Sequence, residues 1–366
     1  MSVIIFIIIL VVLILAHEFG HFIVAKWAGM RVDEFGIGFP PKLWSKKPKH
    51  SETTYSVNAI PFGGFVKIFG EDRMEDAEPE PRSFSARPRH LQAAVIVAGV
   101  VANFIFAWLL LSVGFLSGFP TPAQVENGIV PENANLLITA VSDGSPAEKA
   151  GILPGDHVLS LSSGADVLSK NIVTPEAMSS FIATHGEKEI TITYTRDGKK
   201  GAASVTPVSG ILTDRAAIGI TMDLVEIKRL PIHQALFEGG KTTIAVTKAT
   251  VRGFWTLISE SIRGNGAGLS AITGPVGIVG LVGDTASFGF AYLIAFTAFI
   301  SINLAVINII PFPALDGGRL FFLAIETVKG SHIKPAVTAW ANGIGFVLLI
   351  LLMVIVTFRD IMHLIG

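Results

Sequence analysis

Three long stretches of the sequence contain no Asp, Glu, Lys or Arg, and they constrain the possible folds more than any other feature. They are residues 91–125, 285–315 and 335–358. Each is longer than the roughly 20 residues that an α-helix needs to cross a hydrocarbon core about 30 Å thick. Charged residues make up only 16% of the chain, against about a quarter in ordinary soluble domains. The chain is therefore predicted to be a membrane protein.

A fourth apolar stretch opens the sequence, and a short polar motif interrupts it. Residues 3–16 are apolar throughout, the motif His17-Glu18-Phe19-Gly20-His21 follows, and apolar residues resume at Phe22. A cleaved signal peptide is the alternative interpretation, but such peptides begin with a basic region. Here Lys26 is the first basic residue. We therefore predict a transmembrane helix within residues 1–28.

These stretches and the sequence between them divide the chain into segments of different composition. The segment after the N-terminal apolar stretch is polar, and the segment after residues 91–118 is long enough for a folded domain. We predict transmembrane helices at residues 1–28, 91–118, 288–318 and 335–358, a loop at 29–90, a soluble β-rich domain at 125–226, and amphipathic helices at 227–284.

The charges of the loops predict an orientation in the membrane. Residues 26–90 contain eleven Lys or Arg residues, and the short loop at 319–334 is also basic. Short basic loops stay in the cytoplasm, whereas domain-sized segments cross the membrane largely regardless of charge. We therefore expect loops 29–90 and 319–334 to be cytoplasmic. Both termini and the β-rich domain are then expected on the opposite, periplasmic side.

Residues 125–226 contain short β-type runs separated by Gly and Asp turns, together with one helix predicted at residues 174–185. The segment from Gly144 to Asp156, GSPAEKAGILPGD, resembles the part of a PDZ domain where a short helix ends at a glycine and a Gly-Asp turn leads into a strand. This resemblance implies a groove in which an extended peptide pairs with a strand. The alternative is a domain that only spaces or caps the membrane part.

Residues 231–262 have apolar residues at helical spacing with basic residues between them. This pattern predicts one or two amphipathic helices that lie at a membrane interface. A helix that packs on the soluble domain would show the same pattern, so both interpretations stay open.

The motif His17-Glu18-Phe19-Gly20-His21 is an H-E-x-x-H pattern. On a helix, the side chains of His17 and His21 share one face, so both imidazoles can bind one metal ion, and Glu18 can act on a water molecule beside it. Ionisable residues within an apolar helix are costly and rarely lack a partner. The pattern therefore predicts a catalytic metal site, with a satisfied polar patch between helices as the alternative.

A catalytic zinc site normally has three protein ligands and one open position. The chain has no cysteine, and its other histidines lie in loops, in the soluble segment or in the tail. Asp316 is the strongest remaining candidate. It ends an uncharged stretch, and Pro311 and Pro313 beside it break the helix at membrane depth, where unwound backbone is tolerated only in protein or around a cavity. An ordinary Asp-Gly-Gly turn is the alternative.

Together, the motif at residues 17–21, the PDZ-like insert and the segment Asn308-Ile309-Ile310-Pro311-Phe312-Pro313-Ala314-Leu315-Asp316-Gly317-Gly318 resemble the site-2 protease family of intramembrane zinc metalloproteases. Within that family, the chain is similar to the bacterial regulator-of-sigma-E protease group. Gly99–Asn103 resembles the family's Gly-x-x-x-Asn, and Gly274–Gly277 resembles its Gly-Pro segment.

The resemblance implies specific roles for the motif residues. His17, His21 and Asp316 would bind a zinc ion, and Glu18 would act as general base and then as general acid. Asn308 matches an asparagine that holds the substrate backbone or its oxyanion. The substrate would be a transmembrane protein, either a single-span anti-sigma factor that has already been trimmed or a remnant signal peptide.

The segment Pro61-Phe62-Gly63-Gly64-Phe65-Val66-Lys67 resembles the family's Gly-rich, membrane-associated β-hairpin. This resemblance implies substrate contact at Gly63, Gly64 and Phe65. A transmembrane helix hides its carbonyl groups in internal hydrogen bonds, so it must unwind before cleavage. The edge of a hairpin over residues 55–68 would offer backbone groups to the unwound segment.

The predicted fold is a polytopic α-helical membrane protein with about four transmembrane helices, one inserted PDZ-like β-rich domain and a membrane-associated β-hairpin. The resemblance implies a location in the bacterial inner membrane. The chain also departs from the group, because the best-known members carry two tandem PDZ domains and many have proline where this chain has Val100. A size filter that depends on two such domains is therefore in doubt.

Two other functions compete with the protease. An inactive membrane adaptor with a PDZ-like peptide-binding domain would have no need of Glu18. A metal transporter is expected to show internal repeats with paired broken helices, and residues 2–28 and 291–318 do not form such a repeat. The net charge of −1 leaves no overall basic field for nucleic acid.

Overall fold

The computed structural model describes residues 1–71, 80–123, 131, 134–169, 174–196, 198–211, 215–263 and 273–365. Val125, where the β-rich domain is predicted to begin, lies outside the described residues. The chain forms two compact units. The first contains residues 1–112, 236–283 and 296–366, and the second contains residues 113–235 and 284–295.

Helices and strands are labelled here in chain order. The helices are α1 (Ser2–Trp27), α2 (Arg89–Ser117), α3 (Pro146–Lys149), α4 (Pro175–Thr184), α5 (Ile232–Ile262), α6 (Pro275–Ser287), α7 (Phe290–Ile309), α8 (Asp316–Lys329) and α9 (Pro335–Ile365). The strands are β1 (Val32–Lys46), β2 (Thr54–Ile68), β3 (Phe119–Pro122), β4 (Ala134–Val141), β5 (His157–Ser163), β6 (Asp166–Ser169), β7 (Ile190–Arg196), β8 (Lys199–Val205) and β9 (Ile220–Lys228).

Four of the described helices, α1, α2, α7 and α9, are long and apolar enough to cross a membrane. The chain is thus a membrane protein with an inserted β-rich region, as its sequence predicted. The predicted span at 288–318 is divided in the structure. Helix α7 ends at Ile309, and α8 starts anew at Asp316, since Pro311 and Pro313 lack the amide hydrogens that a continuous helix requires.

Helices α1 and α2 approach each other closely at a glycine. A Cβ atom at Gly20 of α1 would overlap the carbonyl oxygen of Ala98 and would lie 2.6 Å from the Cβ of Ala102 in α2. Small residues allow the backbones of two membrane helices to come this near. Because Gly20 lies within the H-E-x-x-H motif, this crossing brings the motif directly against α2.

Strands β1 and β2 form the hairpin that follows α1. Residues 34–37 of β1 pair with two segments of β2, residues 64–67 and residues 54–57. At the base of the hairpin, Glu52 accepts hydrogen bonds from Arg82 and from Lys26 at the end of α1. These bonds, led by that of Arg82, lower the pKa of the Glu52 carboxyl to about 2. The carboxylate therefore remains charged at physiological pH and ties the hairpin to α1.

The described strands of the second unit form a seven-stranded sheet in the order β3-β9-β4-β5-β7-β8, with β6 paired to β5. Helix α4 covers its apolar core with Met178 and Ile182. Helix α3 and the turn after it occupy the segment that resembles a PDZ domain. Ser145 caps α3 by accepting a hydrogen bond from the Glu148 amide, and the buried Asp156 pairs with Arg196.

Helix α5 is one continuous helix over the segment predicted as one or two amphipathic helices. Its small residues face α2, because a Cβ atom at Gly239 would lie 2.9 Å from the backbone nitrogen of Ser112. Large apolar side chains such as Phe237 and Trp255 are instead more than two-thirds exposed. This distribution fits a helix whose outer face meets lipid or a membrane interface.

Candidate metal centre

The two histidines of the H-E-x-x-H motif lie one above the other on the face of α1 that meets α2. Their rings are 4.8 Å apart between centroids and nearly perpendicular to each other. The Nε2 atoms of His17 and His21 are 3.2 Å apart, and both side chains are almost fully buried. The spacing of about one helical turn thus brings the Nε2 atoms of the two histidines together.

Asp316, the first residue of α8, supplies a carboxylate oxygen at the same point. Its Oδ2 atom lies 3.0 Å from Nε2 of His17 and 3.2 Å from Nε2 of His21. The carboxylate also lies at a helix N-terminus, where the backbone dipole favours negative charge. Among the described residues, these three side chains form the one group of histidines and carboxylates that could hold a metal ion.

The spacing of the three facing atoms fits a zinc ion, and so does the protonation of His21. Nδ1 of His21 donates a hydrogen bond to the carbonyl oxygen of Val95 at 2.8 Å, so the neutral ring carries no hydrogen on Nε2. That lone pair faces the Asp316 carboxylate with no proton from His21 between them, an arrangement that a cation would stabilise. Ligands that bind one zinc ion tetrahedrally at 2.0–2.1 Å are about 3.3 Å apart, which is close to the separations observed.

The turn before α8 is built to bring Asp316 to this point. A Cβ atom at Gly317 would overlap the carbonyl oxygens of Ile309 and Ile310, so only glycine allows α8 to start so close to the end of α7. Ala314 adopts a left-handed conformation with a φ of 73°. Its amide donates a hydrogen bond of 3.1 Å to Oδ1 of Asn342 in α9.

Glu18 lies between the two histidines of the motif and the hairpin. A Cβ atom at Gly64 of β2 would lie 3.1 Å from Cγ of Glu18 and 2.9 Å from Cγ2 of Ile14. The Gly-rich segment of the hairpin therefore rests directly on the part of α1 that carries the motif. Gly63, with a φ of 121°, and Phe65 flank Gly64 in the same strand.

Besides the two histidines, Arg319 also pairs with the Asp316 carboxylate. Its Nη1 atom is 3.8 Å from Oδ1 of Asp316, and its guanidinium also pairs with Glu71. A cavity of about 680 Å³ adjoins this ion pair, and its wall includes Gln92 and Glu326. A partly polar cavity of this kind can hold water, and it reaches to within one side chain of Asp316.

The structure brings some of the residues predicted from the sequence close together. His17, His21 and Asp316 share one point, and Glu18 and Gly64 are neighbours. Asn308 is half-buried in the last turn of α7. Three further residues contact the site, namely Val95, Asn103 and Asn342. Asn103 was noted from the sequence only as part of the Gly99–Asn103 motif, and the other two were not recognised. Two of them left a signal, since an asparagine in an apolar helix calls for a partner.

Comparisons with known proteins show which proteins the chain resembles. A model of peptidase family M50 matches residues 5–352. A Clostridium acetobutylicum protein provisionally named a zinc metalloprotease is 31% identical over 353 residues, which cover 96% of this chain and 95% of that protein. A Synechocystis protein with the same provisional name is 36% identical and covers 97% and 93%. The regulator of sigma-W protease RasP of Bacillus subtilis is 29% identical and covers 99% of both chains.

Proposed function

Because the chain belongs to peptidase family M50, the site-2 protease family, we propose that this zinc metalloprotease hydrolyses peptide bonds within the transmembrane segments of other membrane proteins. One observation carries the proposal. Two imidazole nitrogens and one carboxylate oxygen converge within 3.2 Å of one another, and the helix that carries the histidines is long and apolar enough to span a membrane. The relatives that carry zinc in their names support zinc as the metal.

In the proposed site, His17, His21 and Asp316 would hold the zinc ion. Bound zinc would supply Lewis acidity, which polarises a peptide carbonyl and makes a water molecule easier to deprotonate. Glu18 follows His17 directly in α1, and its carboxylate takes the proton from the attacking water. It then returns this proton to the nitrogen of the leaving amine.

We assign the substrate to the space between the hairpin and α7. The backbone of the Gly-rich segment, with Gly63, Gly64 and Phe65, lies next to Glu18 and offers a strand edge to an unwound substrate. Asn308 donates a hydrogen bond to the substrate carbonyl, where negative charge develops during attack. The cavity beside Arg319 and Glu71 serves as the route by which water reaches the site, since lipid supplies none.

The substrate class and the location are further parts of the proposal. The name of the Bacillus subtilis relative, regulator of sigma-W protease, supports a single-span anti-sigma factor as substrate, and a remnant signal peptide is the second candidate. The chain would lie in the bacterial inner membrane with residues 29–90 and 319–334 in the cytoplasm. The β-rich domain, which we take to be PDZ-like, and both termini would lie on the periplasmic side.

The proposal is tested with the full chain, purified in detergent and incubated with a model single-span substrate. Wild type is expected to cleave the substrate within its transmembrane segment, and a zinc chelator is expected to stop the reaction until zinc is restored. Glu18→Gln should bind zinc as wild type does but cleave about 10²- to 10⁴-fold more slowly, because it cannot accept the proton.

Glu176→Gln is the matched control, because Glu176 is an exposed carboxylate in the first turn of α4, outside the proposed metal site and the hairpin. It should cleave at the wild-type rate. Equal cleavage by wild type and Glu18→Gln would instead assign the activity to a contaminating protease. The chain would then be better described as a membrane adaptor with a peptide-binding domain.

A further inference from the structure

One face of α2 contacts both metal-facing imidazoles at three successive turns. The carbonyl oxygen of Val95 accepts a hydrogen bond from His21. Four residues on, a Cβ atom at Gly99 would lie 2.7 Å from Cε1 of His17 and would also overlap the His21 ring. Four residues further, Nδ2 of Asn103 lies 3.3 Å from Nδ1 of His17. Helix α2 thus offers His21 a hydrogen-bond acceptor, leaves room for both rings at Gly99 and presents a side-chain amide to His17.

The two histidines differ in how their protons are fixed. A carbonyl oxygen can only accept, so the contact with Val95 holds the His21 proton on Nδ1 and leaves Nε2 free to bind a metal ion. His17 faces a carboxamide instead, which has a donor at one end and an acceptor at the other. The orientation of the Asn103 amide therefore decides which nitrogen of His17 carries the hydrogen.

In the orientation described here, Nδ2 of Asn103 faces His17, and its buried Oδ1 has no hydrogen-bond partner among the described residues. A ring that accepts this N–H at Nδ1 carries its own hydrogen on Nε2 when neutral, and that nitrogen cannot then bind a metal ion. A 180° rotation of the amide places Oδ1 where Nδ2 is now. His17 can then donate from Nδ1, with the Nε2 lone pair directed at the Asp316 carboxylate.

We propose that Asn103 is a positioning residue for zinc, which accepts a hydrogen bond from Nδ1 of His17 through its side-chain oxygen and so keeps Nε2 available as a ligand. This inference rests on zinc binding by His17, His21 and Asp316, as proposed above. It assigns a function to the asparagine of the Gly99–Asn103 motif. Outer partners of this kind change metal affinity by about 10- to 100-fold.

The surroundings of Asn103 favour this role over one in helix packing. The residue is fully buried, and its backbone carbonyl accepts a hydrogen bond of 2.9 Å from Oγ of Ser301 in α7. The packing contact between α2 and α7 thus uses the backbone of Asn103, whereas the side chain is directed at His17. Substituting Ser301 and substituting Asn103 therefore test two different interactions.

The experiment measures zinc dissociation constants by chelator competition in the purified full-length protein, together with the thermal midpoint of each zinc-free variant. Asn103→Leu removes the acceptor and the unpartnered amide together. It should weaken zinc binding by about 10- to 100-fold without lowering the midpoint. Asn103→Asp keeps the acceptor but buries a charge, so it should lower the midpoint while binding zinc at least as tightly as wild type.

Ser301→Ala is the control for packing, and it should leave the zinc dissociation constant unchanged. The inference is overturned if Asn103→Leu binds zinc as tightly as wild type does, or if Asn103→Asp is weakened as much as Asn103→Leu. A wild-type protein that binds no zinc would refute the proposed function instead, so the two failures are distinguishable.

Discussion

Gly99 is the residue whose missing side chain lets the imidazoles of both His17 and His21 reach the surface of α2. A Cβ atom there would overlap the His21 ring and would lie 2.7 Å from the His17 ring. Real Cβ atoms do not approach other atoms so closely, so any larger residue must displace at least one imidazole. Metal sites tolerate displacements of only about 0.5 Å before affinity falls.

We therefore predict that Gly99→Ala weakens zinc binding by about 10-fold or more, as measured by chelator competition. The helix itself should not suffer, because alanine is favoured over glycine in a helix by roughly 1 kcal/mol. Gly343→Ala in α9 is the control, since a Cβ atom there meets nothing within 4 Å. Wild-type zinc affinity in Gly99→Ala would show that the two rings do not lie against α2 as described.

At the scale of elements, the turn between α7 and α8 depends on α9. Ala314 is held in a left-handed conformation that costs an L-residue about 1–2 kcal/mol, and its amide is satisfied by Asn342. A Cβ atom at Gly345 would lie 2.5 Å from the carbonyl oxygen of Pro313, so α9 also fits closely against the same turn. Helix α9 thus positions Asp316 although it contributes no ligand.

Asn342→Leu should lower zinc affinity, because the turn loses the acceptor that compensates for its strain and Asp316 is no longer held in place. The measurement is again chelator competition on the purified protein. Asn303→Leu in α7 is the matched control, because the Asn303 amide only bonds to Phe299 within its own helix. If both variants bind zinc equally well, the turn does not depend on Asn342.

The sequence predicted those helices that can be recognised from the composition of one short segment. Long apolar stretches marked α1, α2, α7 and α9, because hydropathy depends on composition alone. The prolines at 311 and 313 indicated a broken helix, but they did not indicate that a second helix begins at Asp316. The pairing of residues 34–37 with two segments of β2 was not predictable either, because register depends on contacts between distant residues.

Part of the candidate site was also predictable from the sequence, and part was not. The spacing of His17 and His21 follows from helix geometry, so the sequence indicated two metal-facing side chains directly. Val95 contributes a backbone carbonyl, which every residue type possesses, and so it left no signal in the sequence. The partner of Asn103 lies 86 residues away along the chain, and such a contact becomes visible only in the folded protein.

In the molecule as a whole, the proposed zinc site requires two distant parts of the chain to meet. The motif at residues 17–21 lies in the first helix, and Asp316 follows the third of the four helices that could cross a membrane. Neither part can bind a catalytic zinc ion alone, since such sites normally need three protein ligands. The first unit of the fold supplies all three.

The most direct test of this claim is the zinc content per chain, measured after zinc loading and dialysis against a mild chelator. Wild type is predicted to retain one zinc ion, and Asp316→Ala is predicted to lose most of it, because two imidazoles alone hold zinc weakly. Asp33→Ala, which removes a carboxylate paired with Arg31 outside the site, should retain one ion. A full zinc ion in Asp316→Ala, or none in wild type, would contradict the account.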